Sequence, residues 1–142
     1  IHLFMHFLDT IKRFEKEDLW QKIYEYVCQE SEYTFQNLKT IESTIPSNMK
    51  FNRYHNILPY DHSRVKLSKS NDELTDYINA NFIKLSFSPK SYIACQYPLA
   101  NTLNHFWQMV WEQNSRQILM LNKVGERRDP LIYWPSQLLE KI

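Results

Sequence analysis

Apolar residues recur at helical spacing near the start of the chain. Phe4, Leu8, Ile11 and Phe14 form one set; Leu19, Ile23 and Val27, with Trp20 and Tyr24 beside them, form a second. Steps of three and four put each set on one helix face. Residues 1–33 therefore read as two amphipathic helices broken near Glu15–Asp18, with Asp18 of the type that caps a helix start. Residues 34–50 have weak periodicity and contain Pro46, and read as a connector.

Further on the period changes. Ile78, Ala80 and Phe82 alternate with Tyr77, Asn79 and Asn81, the period of a strand. The two asparagines are expected to hydrogen-bond neighbouring loops. The polar stretch from Lys66 to Thr75 reads as the turn before this strand, and Ser86–Ser91 with Pro89 as the turn after it. Tyr92–Gln96 is the next strand, ended by Pro98. Leu103, Phe106, Trp107, Val110 and Trp111 then return to helical spacing behind an Asn101 or Thr102 cap. Ile118–Leu121 is a short unbroken apolar run, which predicts a strand covered on both faces and reached by a right-handed crossover. A hydrophilic loop through Gly125, Arg127 and Arg128 leads to Tyr133-Trp134-Pro135, read as one more strand. The expected class is α+β: N-terminal helices, then a twisted mixed β-sheet with a packed helix, in one domain.

Asn52 to Leu67 begins as a loop-like run that fits neither period and then turns into alternating Val65-Lys66-Leu67. Pro59 fixes its own φ and pushes Leu58 towards extended geometry, so no helix runs through it. Tyr60-Asp61-His62-Ser63 has turn chemistry, because Asp and Ser side chains can bond their own backbone. The outcome is an ordered surface loop holding Arg53 and Tyr54 in place. It is either a recognition loop or a loop merely pinned by its own rings.

Composition narrows the function. With 142 residues and 43% apolar content, one domain can bury a core. A formal net charge of +1 with interspersed signs excludes the concentrated basic face of a nucleic-acid binder. No apolar run approaches the ~20 residues of a membrane span. The first residues lack the basic region and cleavage site of a signal peptide, and with no initial Met the chain is expected to lack its true beginning. Cys28 and Cys95 lie far apart and suit free thiols in a reducing, cytoplasmic setting. The chain has one glycine, Gly125, so no glycine-rich phosphate loop can be written. His2 and His6 share a helix face without a third ligand, so no metal site is assigned and no cofactor is expected. Lys123, Arg127 and Arg128 read as a solvated loop.

Four blocks, in order, resemble the N-terminal half of a phosphotyrosine-specific protein phosphatase domain of the non-receptor, T-cell-phosphatase-like branch. They are Asn52-Arg53-Tyr54 with Pro59 to Val65; Asp76 to Ile83; Tyr92 to Gln96 with Pro98-Leu99; and Phe106 to Glu112 followed by Met120-Leu121 and Tyr133-Trp134-Pro135. The likeness runs from about Phe14 to the end. It divides residues 1–142 into N-terminal helices (1–33), a phosphotyrosine-recognition loop (52–67) and a sheet and helix core (76–135). It implies that Tyr54 stacks on the substrate's phenyl ring, a contact worth ~1 kcal/mol beyond burial. Arg53 and Asn56 join it as substrate-binding residues, although the family carries Asp where Asn56 stands. Hydrogen bonds to a charge are worth ~1.5–3 kcal/mol, so peptide binding should weaken. Arg64, Asn79, Asn81 and Gln96 fall at positions that brace loops.

Other departures bear on catalysis. Tyr97 replaces a usual Gly, and His105 replaces an acid that would complete a capping box with Thr102. The family reaction needs a Cys thiolate, an Arg beyond it with five residues between, and a mobile Asp. Neither Cys28 nor Cys95 has that context, so no catalytic residue is assigned within these residues. The expectation is an inactive phosphotyrosine-binding pseudophosphatase or a fragment of an active enzyme, whose ligands are phosphotyrosine peptides or proteins. The alternative is a scaffold that pairs an uncovered half-sheet with a protein partner.

Overall fold

The computed structural model describes residues 2–35, 37–69, 75–123 and 131–135, with only the backbone of 2–4 and 32–35. The chain divides into two compact units, Ile1–Leu38 and Lys39–Ile142.

The first unit is a helical hairpin of α1 (His2–Lys16) and α2 (Leu19–Phe35). Phe14 and Trp20 meet edge to face across the break, with centroids 5.2 Å apart. Asp18 takes φ 49°, a left-handed value that Asp tolerates better than most residues. It thus closes α1 instead of presenting the extended geometry of an N-cap.

The second unit opens with two single helical turns, α3 (Ile41–Thr44) and α4 (Pro46–Met49), where a plain connector was expected. Pro46 occupies the first turn of α4, where its missing N–H costs nothing. Strands β1 (Arg64–Lys66), β2 (Tyr77–Lys84) and β3 (Ser91–Cys95) follow in the order β1-β2-β3, and both pairings are antiparallel. A 3-10 turn at Ala100–Thr102 leads into α5 (Leu103–Glu112).

The two faces of β2 divide the work. Ile78 and Ala80 join Val65 and Leu67 of the β1 region, Phe106 and Met109 of α5, and Tyr133 in a buried apolar cluster. At ~25 cal/mol per Å² this burial is the main stabilising term of the unit. Tyr77, Asn79 and Asn81 lie on the opposite face, where they meet the loop that precedes β1. The helix and sheet are also tied at their edges. The Glu112 carboxylate accepts the Ser68 N–H, and Gln108 donates to the Ser68 carbonyl at 2.8 Å.

The α+β class stands, with corrections of detail. Among the described residues the sheet is antiparallel throughout, not mixed. Ile118–Leu121 forms no strand there: Leu119 and Leu121 are 83% and 90% exposed. An apolar run becomes a central strand only when strands flank it, and no described strand lies beside this one. Tyr133-Trp134-Pro135 is likewise irregular, although Tyr133 is buried. Trp111 continues the apolar spacing of α5 yet is 86% exposed, because the cluster ends at Met109 and Val110. Residues 70–74 of the expected turn before β2, and the loop through Gly125, Arg127 and Arg128, lie outside the described residues.

Candidate recognition site

The loop from Phe51 to Ser63 contains no regular structure beyond turns, so its order has to come from side chains. Asparagine and glutamine amides supply most of it. Gln96 Oε1 accepts the Arg53 N–H at 2.8 Å while Gln96 Nε2 donates to the Phe51 carbonyl at 2.8 Å. One carboxamide therefore pairs with the loop backbone as a neighbouring strand would. Asn79 Nδ2 donates to the Ile57 carbonyl (2.9 Å) and to Asn52 Oδ1 (3.0 Å), and Asn81 Nδ2 to the Tyr60 carbonyl (3.0 Å) and to Ser63 Oγ (2.9 Å).

Asn52 is the hub. Its Oδ1 also accepts from the Tyr77 hydroxyl, and its Nδ2 donates to the Ser43 carbonyl at 2.9 Å. Tyr77 is fully enclosed. Burial pushes its phenol up to about 12. The phenol therefore stays a donor at ordinary pH.

Asp61 does not bond its own turn, as its loop position suggested. Its carboxylate reaches back twenty residues and receives the N–H groups of Ile41 (2.8 Å) and Glu42 (3.1 Å), capping α3. Arg64 is buried and lies 3.2 Å from the Asp76 carboxylate and 3.6 Å from that of Glu42, which ties β1 to the approach to β2 and to α3. Arg64 and Gln96 are thus braces by geometry.

Between these ties stands a short exposed crest, Tyr54-His55-Asn56-Ile57. Its N-terminal flank is Arg53, fixed by Gln96; its C-terminal flank is the Ile57 carbonyl, held by Asn79. Tyr54 is 50% exposed. Asn56 shares the crest with Tyr54. Arg53 is tied to the end of the β3 region: Nε donates to the Tyr97 carbonyl (3.1 Å) and Nη2 to the Pro98 carbonyl (2.8 Å). Tyr54 and Asn56 are thus both exposed, next to an Arg53 whose guanidinium is bonded to the Tyr97 and Pro98 carbonyls.

Sequence reasoning missed Asn52 and Asp61. Asn52 could have been flagged by the polar face of β2, which needs a partner inside the loop. For Asp61 no local pattern exists, since its partner is twenty residues away. Among the described residues no three His, Cys, Asp or Glu side chains gather into a metal-binding group. Cys28 is half-buried and Cys95 exposed, both as free thiols. Although Cys95 as a residue is exposed, the atoms packed around its sulfur push its thiol up, away from a reactive thiolate. Among the described residues no helix is long and apolar enough to cross a membrane.

A family model described as protein-tyrosine phosphatase matches residues 48–141, which include the whole loop and its braces. The chain is 40% identical to tyrosine-protein phosphatase non-receptor type 61F of Drosophila melanogaster over 128 residues, 87% of this chain and 23% of that protein. It is 40% identical to the human non-receptor type 2 enzyme over 132 residues, 91% of this chain and 28% of that protein. With human non-receptor type 12 the identity is 53% over 91 residues, 62% of this chain and 12% of that protein. The chain spans roughly a quarter of the length of the first two relatives. A family match over residues 48–141, about two thirds of the chain, places the chain in the protein-tyrosine phosphatase family.

Proposed function

We propose that these 142 residues form the phosphotyrosine-recognising part of a protein-tyrosine phosphatase, and that by themselves they bind phosphotyrosine peptides without hydrolysing them. The crest carries this reading: an exposed Tyr54 held between two amide-anchored flanks is a preorganised stacking surface. Asn56 beside it offers a neutral amide to the peptide backbone, which favours weak binding. Within the sequence neither cysteine is followed by an arginine at the spacing the chemistry needs, and the raised Cys95 thiol agrees. Dephosphorylation of phosphotyrosine proteins, in the cytoplasm, is the activity of the larger protein under this proposal.

Titration of a labelled phosphotyrosine peptide tests it. Binding should exceed that of the unphosphorylated peptide, and no phosphate should be released. Tyr54→Ala should weaken binding about fivefold, from a stacking contribution of ~1 kcal/mol. Affinity unchanged by Tyr54→Ala would overturn the reading.

A second reading, a scaffold covered by a protein partner, draws on the exposure of Trp111, Leu119 and Leu121. Under it the chain would recover solubility only with that partner, and its peptide affinity would be indifferent to phosphorylation.

A further inference from the structure

We propose that Tyr97 is a positioning residue that couples the Tyr54 crest to the Tyr133–Trp134 segment; this rests on the recognition reading above. Tyr97 stands where the resembled family carries glycine, and every part of it is used. Its carbonyl accepts from Arg53 Nε at 3.1 Å, which a glycine could also do. Its ring lies under the Arg53 guanidinium, 5.5 Å from centroid to Cζ, which a glycine could not offer. Its hydroxyl donates to the Leu131 carbonyl, and its edge meets the Tyr133 ring at 5.3 Å. Tyr133 is seated in the core, and its carbonyl accepts from Trp107 Nε1 at 2.9 Å.

The Tyr97 ring is therefore fixed at its far end and supports Arg53 on its face. Arg53 immediately precedes Tyr54, so whatever limits Arg53 limits the backbone that carries the stacking ring. The same ring thus feels both the crest and the 131–134 segment. Coupling of this kind is reciprocal: a peptide seated on Tyr54 should slow amide exchange at 131–134.

The test uses the full 142-residue chain, a fluorescein-labelled phosphotyrosine peptide, and hydrogen exchange read at 52–57 and 131–134. Tyr97→Leu keeps bulk but removes the π face and the hydroxyl. It should weaken the peptide about fivefold and speed exchange in both segments. Tyr97→Phe, which retains the ring, should recover most of that affinity while leaving 131–134 fast. Arg53→Gln combined with Tyr97→Leu should cost less than the sum of the two single changes; additive losses overturn the coupling.

If the unaltered chain binds no phosphotyrosine peptide, the recognition reading falls by itself. Exchange at 52–57 then decides Tyr97, and protection unchanged by Tyr97→Leu overturns its role. Should Tyr97→Leu fail to fold, Tyr97→Phe decides through 131–134, where exchange as slow as in the unaltered chain overturns it.

Discussion

Residues 51–63 and residues 115–121 are both irregular backbone, but they are irregular in opposite ways. The first segment is polar and rich in turn formers, and amides from Gln96, Asn79 and Asn81 meet its carbonyls and N–H groups. The second has the apolar run of a buried strand, yet Ile118, Leu119 and Leu121 face solvent. Order in this fold follows from where backbone hydrogen bonds are satisfied, and hydrophobicity alone does not confer it. A loop can be as fixed as a strand when side chains take the place of a neighbouring strand.

The contrast can be broken most severely at Asn52. Asn52→Ala leaves the Tyr77 hydroxyl and one Asn79 donor without their acceptor in a buried setting. At ~1–3 kcal/mol for each unsatisfied group the loss should be about 3 kcal/mol, read from the urea midpoint. A loss below about 1 kcal/mol would mean that water replaces the amide and that the loop is not held as argued.

Tyr77→Phe is the next step down. Removing one hydrogen bond should cost about 1 kcal/mol at neutral pH. It should also alter the alkaline response, because the folded phenol sits above its ordinary value of 10.0, at about 12. A raised value means stability that is complete below pH 10 and is lost as pH rises towards 12. The melting temperature of the unaltered chain should therefore fall more steeply over that window than that of Tyr77→Phe. Parallel curves would show that the phenol is not enclosed.

Asp61→Ala should cost about 1 kcal/mol, the usual worth of a helix cap. Amide exchange should quicken at Ile41 and Glu42 before it does in β2. Leu119→Ser should change stability by no more than about 0.5 kcal/mol, as an exposed site allows. A larger loss would show that the apolar run is buried in solution and would erase the contrast between the two segments.

The legible parts of the sequence were those whose partners are near or periodic. β2 and β3 followed from alternation and bounding prolines, and α5 from its three-and-four spacing. The bracing asparagines 79 and 81 were readable because polar side chains on a half-buried strand must bond something. The turns α3 and α4 were not legible, since four-residue helices carry no period, and the acid that caps α3 comes from Asp61. The run at 118–121 misled because strand formation depends on neighbours as much as on composition. At the site, Tyr54 and Asn56 are both exposed. Arg53 is expected to bind substrate, and its Nε and Nη2 donate to the carbonyls of Tyr97 and Pro98.

The distance in sequence between Arg53 and its partners has a consequence for how the chain is born. Gln96, Tyr97 and Pro98 lie 43 to 45 positions downstream. Contacts of such separation form late, because the loop between them must first be closed. During synthesis the segment around Tyr54 leaves the ribosome seconds before the residues that anchor it, at ~5–20 residues per second. For that interval it is an unstructured, aromatic-bearing stretch open to chaperones or proteases, and it gains its shape only when the end of β3 arrives.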